Sequence, residues 1–398
     1  MAKKAKTTCN ILMYSHDTYG LGHIRRTLAI ATQLAGPHVN ILILTGSPLA
    51  GRFSLGENID FVRIPGMIKK TNEEYLPLSI RINPDHALCI RKNIITATAK
   101  AFAPQIFIVD KEPLGLKKEV LPTLQWMKSR LPTTRTILGL RDVMDDAETV
   151  RRDWEEKGVY SVLDELYSEI WVYGDRSFYD PGLEYAIPEP VNRKLIYTGY
   201  ISREVPDQTA VLRLRSKLKV KTEDKLVAVT TGGGGDGASV IKAYLDMLEA
   251  APVPFRSVLV TGPFMPRKDR ETARKRAERL NVQIYGFFPR MEEVLAAADL
   301  VVSMGGYNTV CEIMSQKTVS LLIPRETPRR EQLIRAQILA ERNLADYLPL
   351  SRLSPELLRE KIFALLENPG AFKNAIAQFP LTGISAMQER VSRYCVKA

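Results

Sequence analysis

Two histidines near the N-terminus, His16 and His23, enclose a segment that contains Gly20 and Gly22. The segment follows an apolar run typical of a first strand and precedes residues with helical spacing. An imidazole at a helix N-terminus stays neutral because the helix dipole disfavours its protonation, and a neutral imidazole is a general base. Glycines allow a tight turn and close approach of a ligand. These residues therefore predict a base, either His23 or His16, beside a substrate loop. A plain loop with two solvated histidines is the competing interpretation.

A run of four glycines between an apolar strand at 225–231 and a helix at 239–250 is a second motif. Backbone N–H groups of such a loop can hold a phosphate at the helix N-terminus. The loop lacks the Lys-Ser/Thr of an ATPase P-loop. It therefore predicts a diphosphate cradle, with a flexible turn as the alternative. The cradle residues are Gly232, Gly233, Gly234 and Gly235.

Gly305 and Gly306 follow another apolar strand at 300–303, and a helix is predicted to begin at Asn308 or Thr309, both suitable N-caps. This helix end is a second anion site. Glu312, one turn inside, is expected within reach of ribose hydroxyls. A capped helix with a surface glutamate would explain the same residues.

Glu331 and Gln332 lie in a charged segment that leaves a strand and enters a helix, at 324–332. Their side chains can hydrogen-bond sugar hydroxyls, and neighbouring arginines can pair with phosphate. A solvated charge run is the bland interpretation. Asp142, Asp145 and Asp146 do not have clean metal-ligand spacing, and nearby arginines can pair with them. We predict no metal and no cofactor beyond the substrate.

Apolar runs alternate with helical patterns along the whole chain, which predicts an α/β protein with buried parallel strands. The pattern restarts after a proline-rich stretch, so we place a domain boundary near 201–208. The two predicted domains are 1–203 and 204–398, each Rossmann-like and doubly wound, and they are expected to face each other across a cleft. Ligands bind such sheets at the carboxyl ends of the strands.

The chain has 398 residues and a formal net charge of +11, with 26 basic against 23 acidic residues in the first 200 and 30 against 22 in the rest. This balance suits anionic ligands. No nucleic-acid-binding motif is visible, so we expect no nucleic acid partner. No apolar run is long enough for a transmembrane helix, and no signal peptide is recognisable, so we expect a cytoplasmic protein. Its four scattered cysteines are expected to be reduced thiols.

The order of these motifs resembles glycosyltransferase family 28, which has the GT-B fold, and bacterial proteins described as predicted glycosyltransferases. The resemblance implies that His23 is the catalytic base near the acceptor and that the glycine-rich loop, Glu312 and Gln332 hold the donor. Asp110, by analogy with other GT-B enzymes, would orient the histidine. The last helix, after about residue 384, would pack back on the first domain. The implied nucleotide-binding residues are Gly232–Gly235, Phe287 and Phe288 before Met291, Gly305, Gly306, Thr309 and Glu312, and Glu331 and Gln332 would bind the donor sugar.

The resulting expectation is an inverting, metal-independent transfer of a sugar from a nucleoside-diphosphate sugar, with UDP as the implied nucleotide, to an acceptor hydroxyl. The acceptor is a lipid or a small molecule, and the basic balance allows peripheral membrane contact. Two alternatives use the same donor site: a nucleotide-sugar hydrolase or epimerase, and a non-catalytic nucleotide-sugar-binding protein. The sequence does not determine the sugar, the acceptor or the oligomeric state.

Overall fold

The computed structural model describes residues 8–17, 22–69 and 75–395. The chain divides into two compact units. Unit 1 contains the residues up to Ile201 and those from Thr382 onward, and unit 2 contains Ser202–Leu381. The division after Ile201 falls two residues before the expected boundary, and the final helix belongs to unit 1.

The strands of unit 1 form a seven-stranded parallel sheet and a separate antiparallel hairpin. They are β1 (Cys9–Ser15), β2 (Val39–Thr45), β3 (Ile59–Arg63), the hairpin β4 (Met67–Lys69) and β5 (Tyr75–Pro77), β6 (Ile106–Asp110), β7 (Arg135–Arg141), β8 (Glu169–Tyr173) and β9 (Leu195–Tyr197).

The helices of unit 1 cover the apolar side chains that a parallel sheet presents on both of its faces. They are α1 (Gly22–Leu34), α2 (Pro84–Phe102), α3 (Leu121–Arg130), α4 (Ala147–Glu156), α5 (Val159–Leu166), α6 (Pro181–Glu184) and α7 (Glu189–Asn192).

The sheet order in unit 1 is β3-β2-β1-β6-β7-β8-β9. The chain winds outward from β1 in one direction and then crosses to β6, so β1 and β6 are neighbours at the point where the order reverses. Loops after such neighbouring strands leave the sheet on opposite faces and form a crevice at their carboxyl ends. The segment that contains His16 and the side chain of Asp110 therefore lie at this position.

Unit 2 repeats this arrangement with a six-stranded parallel sheet in the order β12-β11-β10-β13-β14-β15. Its strands are β10 (Lys225–Thr230), β11 (Phe255–Val260), β12 (Gln283–Tyr285), β13 (Leu300–Ser303), β14 (Val319–Leu322) and β15 (Asp346–Tyr347). Its helices are α8 (Gln208–Lys217), α9 (Ala238–Ala250), α10 (Arg267–Arg279), α11 (Met291–Ala297), α12 (Tyr307–Ser315), α13 (Glu331–Glu341), α14 (Pro355–Glu367) and α15 (Gly370–Ile376).

In unit 2 the order reverses between β10 and β13. These are the strands that run into the glycine run at 232–235 and into Gly305-Gly306, so both glycine motifs lie at the crevice of their sheet. Buried aliphatic side chains such as Ala228, Val258 and Val301 fix the strands beneath them in one core cluster.

The last helix, α16 (Gly383–Cys395), packs on α1 in unit 1. Met387 and Val391 are buried, and the Gln388 side-chain amide donates a hydrogen bond to the Gln33 carbonyl at 2.7 Å. Cys395 at the end of this helix is disulfide-bonded to Cys9 at the start of β1. The expectation of four reduced thiols was wrong for this pair, because the return of the last helix brings together cysteines that lie 386 residues apart. Cys89 and Cys311 are free.

Candidate functional site

The functional side chains of unit 1 gather around His23, the second residue of α1. Its Nδ1 lies 2.5 Å from Oδ2 of Asp110, which ends the neighbouring strand β6. The guanidinium of Arg26, one helical turn further on, donates to both oxygens of the same carboxylate, at 2.6 and 2.8 Å from Nη2. Asp110 and Arg26 are almost completely buried. The carboxylate therefore has two fixed partners, and it orients the His23 ring.

Burial sets the protonation state of His23, and neighbouring charges set that of Asp110. Desolvation lowers the pKa of His23 to about 4, against the opposing pull of Asp110. Burial alone would raise the pKa of Asp110, but the charge of Arg26 and the contacts with His23 hold it well below its ordinary value. At neutral pH, His23 is then a neutral ring that donates Nδ1–H to an ionised carboxylate. Its Nε2 keeps a lone pair, which is the arrangement of a general base.

His16, directly after β1, has a different set of partners. Its Nδ1 lies 3.3 Å from the Tyr14 hydroxyl, which donates its one proton to Glu119 at 2.5 Å. Arg91 pairs with that glutamate through two hydrogen bonds of 2.5 and 2.6 Å. The Tyr14 oxygen therefore accepts Nδ1–H from His16. Burial lowers the pKa of His16 to about 3.

The rings of His16 and His23 are 5.6 Å apart between centroids and nearly perpendicular, at 75°. Both are neutral, but His23 is hydrogen-bonded to the Asp110 carboxylate, which would stabilise the imidazolium formed on proton uptake. Glu112 and Asp110 act on His16 electrostatically. Of the two, His23 is thus the better proton acceptor. Gly22 begins α1, whereas Gly20 lies outside the described residues.

The sequence reasoning missed most of the groups that support these histidines. Arg26 carried one usable signal, since its three-residue spacing from His23 places it on the same helix face. Asp17, which follows His16, was also missed. It is 5% exposed and accepts a hydrogen bond of 2.5 Å from Thr45. Burial raises its pKa to about 7.

In unit 2 the run Gly232–Gly235 forms a loop that only glycine can build at two positions. Gly232 and Gly234 have φ of +63° and +87°. A Cβ on Gly234 would lie 2.1 Å from the carbonyl oxygen of Thr261. The close approach to Thr261 shows that the loop packs tightly against the turn after β11. The loop leads into α9 and therefore lies at a helix N-terminus.

The second glycine motif adjoins this loop. A Cβ on Gly232 would be 3.7 Å from Oγ1 of Thr309, in the first turn of α12. This helix begins at Tyr307 with Gly306 at the N-cap, and no side chain caps it. The predicted start at Asn308 or Thr309 was wrong, because the backbone turns helical directly after the two glycines. Gly306 has no side chain that could cap this helix, and an anion can bind at such a helix N-terminus.

Two arginines hydrogen-bond to residues at the start of α12. Arg203 donates to Oδ1 of Asn308 at 3.0 Å, and Arg335 donates to the Gly305 carbonyl at 3.2 Å. Arg335 also lies over the ring of Tyr307, 5.8 Å from its centroid. Neither arginine was selected from the sequence.

The remaining donor-site residues are placed unequally. Glu312 is 4% exposed, so it is buried in α12 and does not lie on an open surface. Phe287 is 43% exposed, whereas Met291 is buried in the core and Phe288 packs on Tyr285. Of this apolar trio, Phe287 alone therefore offers a ring to a ligand without rearrangement of the core.

Glu331 and Gln332 open α13, and both contact Arg325, which lies near the start of the loop between β14 and α13. Glu331 accepts a hydrogen bond of 2.5 Å from Nη2 of Arg325. Oε1 of the Gln332 side chain accepts a hydrogen bond of 3.1 Å from the backbone N–H of Arg325. This second bond sets the amide orientation of Gln332. Arg325 also donates to Asp236, at the end of the glycine loop, at 2.8 Å. The motifs at 232–236, 305–309 and 325–332 are thus brought together in unit 2.

Among the described residues, no group of three or more His, Cys, Asp and Glu side chains could hold a metal ion. The acidic residues near 142–146 serve local structure, and Asp146 caps α4 by accepting from Thr149 N–H at 3.0 Å. None of the helices in the described part of the chain combines the length and apolarity needed to cross a bilayer.

Two parallel-sheet units with these crevices define the GT-B fold, and solved structures share it over nearly the whole chain. A UDP-glucosyltransferase from Polygonum tinctorium aligns with a TM-score of 0.67 at 12% identity, covering 98% of this chain and 99% of that one. MurG of Acinetobacter baumannii gives 0.62 at 14%, covering 97% and 99%. UDP-GlcNAc 2-epimerase from Neisseria meningitidis gives 0.61 at 12%, covering 98% and 100%.

Residues 227–390 match the model of the glycosyltransferase family 28 C-terminal domain. A curated relative is the UDP-N-acetylglucosamine--N-acetylmuramyl-(pentapeptide) pyrophosphoryl-undecaprenol N-acetylglucosamine transferase of Alkaliphilus oremlandii. It is 27% identical over 201 residues, which are 50% of this chain and 54% of the relative. The match thus spans about half the length of that protein.

Proposed function

We propose that the protein is a glycosyltransferase that moves a sugar from a nucleoside-diphosphate sugar to an acceptor hydroxyl. The observation that carries the proposal is the His23–Asp110 contact of 2.5 Å, with Arg26 behind it, in a chain that also has a family 28 donor-type domain. A neutral imidazole with an ionised carboxylate at Nδ1 is equipped to remove a proton from a hydroxyl.

In the proposed reaction, Nε2 of His23 takes the proton of the acceptor hydroxyl while its oxygen bonds to the anomeric carbon. The bond from that carbon to the diphosphate oxygen breaks, and the diphosphate leaves with the electron pair. One displacement of this kind inverts the anomeric centre. The proton on His23 then passes to solvent, which restores the base.

The departing diphosphate gains negative charge that must be stabilised. The loop at 232–236 and the uncapped start of α12 supply backbone N–H groups for this purpose. They support a reaction without an obligate divalent ion. Glu312 is proposed for the ribose, Gln332 for the donor sugar, and Phe287 for the base of a uridine nucleotide. The proposal of UDP rests on the name of the curated relative.

The relative's name includes a pyrophosphoryl-undecaprenol acceptor, so a lipid-linked acceptor is the first class to test, followed by small molecules. Peripheral membrane contact is part of the proposal. Leu78, Ile80, Ile82 and Ile90 of unit 1 are each 36–46% exposed. Leu78, Ile80 and Ile82 are near neighbours in the sequence, and an exposed apolar patch is typical of an interaction surface. Replacing Leu78, Ile80 and Ile82 by serine should abolish co-sedimentation with anionic vesicles if this surface binds lipid.

The test of the function is product analysis with a panel of nucleoside-diphosphate sugars, each with and without lipid-linked and small-molecule acceptors, in EDTA and in Mg²⁺. We expect nucleoside diphosphate and a glycosylated acceptor of inverted configuration, at equal rates in both buffers. His23→Ala should abolish this activity, and the exposed His86→Ala should not.

Other outcomes would replace the proposal. Free sugar released at full rate without an acceptor would identify a hydrolase. Interconversion of the sugar without net release of nucleotide would identify an epimerase. Tight binding of a nucleotide sugar without any turnover would identify a binding protein.

A further inference from the structure

The side chain of Arg325 lies between two carboxylates of unit 2. Its Nη1 donates to Asp236 at 2.8 Å and its Nη2 to Glu331 at 2.5 Å. The two carboxylates differ in setting. Glu331 is buried at the start of α13, whereas the Asp236 side chain is 45% exposed and belongs to the glycine loop. One partner is therefore a fixed anchor, and the other is an exposed group at the edge of the phosphate cradle.

Asp236 is an unexpected residue at this position. It comes directly after Gly235, in the loop that is proposed to hold the diphosphate, and a carboxylate there would repel a diphosphate. In the structure its charge is neutralised by Arg325. The carboxylate oxygen on Nη1 occupies the kind of position that a phosphate oxygen takes, since guanidinium groups bind both with the same geometry.

Arg325 is also incompletely satisfied. Its Nε is buried, and within the described residues it has no hydrogen-bond partner. Burial disfavours the charged guanidinium, but the carboxylates of Glu331 and Asp236 together stabilise it more, so the pKa of Arg325 is raised. A buried donor without a partner is costly, and a phosphate oxygen that reached Nε would satisfy it.

We propose that Arg325 binds the diphosphate of the donor. Before the donor binds, the Asp236 carboxylate accepts the hydrogen bond from Nη1 of Arg325. When the donor binds, a phosphate oxygen replaces this carboxylate at Nη1. This inference rests on the proposed donor site, and it concerns binding only. Glu331 keeps the guanidinium in position throughout. The exchange makes donor binding a competition between two anions for one cation.

The proposal predicts opposite effects for the two members of the pair. Removing the arginine removes a charge-assisted contact, so Arg325→Ala should weaken UDP binding at least about 10-fold. Removing the competing charge should help the ligand, so Asp236→Asn should tighten UDP binding about 3- to 10-fold. Uridine has no phosphate, and both variants should bind it as the wild type does.

The experiment is equilibrium titration of the full-length protein and both variants with UDP and with uridine. Arg274→Ala is the matched control, because it removes an exposed arginine of α10 in the same unit. It should leave both affinities unchanged. Thermal melting of each variant verifies that it is folded.

A purely structural clasp between Asp236 and Arg325 would make both variants weaken UDP binding, and that result would overturn the proposal. Equal losses for UDP and uridine would overturn it as well. If GDP, dTDP or ADP binds the wild type more tightly than UDP, that nucleotide and its nucleoside replace UDP and uridine in the titrations. No binding of any of them would also overturn it. The opposite-sign result in a protein without transfer activity would sustain the inference and refute the glycosyltransferase proposal.

Discussion

The two units use different parts of the chain to make their sites. Unit 1 positions titratable side chains, with His23, Asp110 and Arg26 in one buried group and His16 in another. Unit 2 positions backbone, with glycine loops and an uncapped helix start, and adds Arg325 beside them. A proton acceptor must be a side chain with a tuned pKa, whereas a diphosphate can be held by N–H groups that need no pKa at all.

This difference has an energetic consequence. Buried ion pairs are costly unless every partner is present, so each residue of the unit 1 group depends on the others. The glycine loops of unit 2 depend instead on backbone conformation and on the absence of a Cβ. Substitutions should therefore act on chemistry in unit 1 and on loop geometry in unit 2.

The largest effect is expected at the His23–Asp110 pair. Asp110→Asn removes the charge that orients and stabilises the imidazolium, and kcat should fall about 10²- to 10⁴-fold. Since burial lowers the pKa of His23 to about 4, kcat/KM of the wild type should fall only below about pH 4, where the base becomes protonated. Steady-state rates from pH 3.5 to 8 measure both effects.

The same assay decides between the histidines. His16→Ala should reduce the rate less than His23→Ala, because Nδ1 of His16 is hydrogen-bonded to the Tyr14 hydroxyl, whereas Nδ1 of His23 is hydrogen-bonded to a carboxylate. A larger loss in the His16 variant would show that the assignment of the base is wrong.

The disulfide between Cys9 and Cys395 joins the last helix to β1 and is expected to stabilise unit 1. Cys9→Ser should lower the free energy of unfolding of unit 1 by about 2–4 kcal/mol, since the bond closes a very long loop in the unfolded chain. Dithiothreitol should have a similar effect on the wild type, measured by urea unfolding. The free cysteine variant Cys89→Ser should show no loss. An unchanged unfolding curve under reducing conditions would contradict the assignment of the bond.

Paired glycine variants probe the unit 2 loop. Gly234→Ala meets a backbone oxygen and a φ of +87°, and should destabilise unit 2 by about 1–3 kcal/mol and weaken UDP binding. Gly233→Ala is the control, because its nearest described contact would be an ordinary 3.6 Å to Phe264. Equal effects of the two substitutions on melting temperature would argue against the loop geometry.

The smallest effect is expected at Asp17. Its pKa in the folded protein, about 7, is above the ordinary value of 3.8, so its stabilising contribution is present at low pH and is lost as the pH rises to 7. Asp17→Asn cannot ionise. Its stability relative to the wild type should therefore rise between pH 4 and 7. A difference independent of pH would refute the raised pKa.

The sequence predicted the elements of unit 2 well because its site is built from contiguous residues. The glycine run, Gly305-Gly306 and Glu331-Gln332 each lie at a junction between a strand and a helix, and local spacing indicates such junctions directly. The first residue of a helix was predicted less accurately. The start of α12 was placed one or two residues late, since Asn308 and Thr309 are better N-caps by residue type than Gly306.

The sequence by itself determined the α/β class, the repeated strand–helix order and the glycine loops, because these follow from local periodicity and from the conformations that only glycine adopts. Tertiary structure decided which distant side chains meet. Arg26 reaches Asp110 across 84 residues, Tyr14 reaches Glu119 across 105, and Arg325 reaches Asp236 across 89. These contacts depend on the order of strands in each sheet. That order follows from packing of the whole unit and leaves no mark in local spacing.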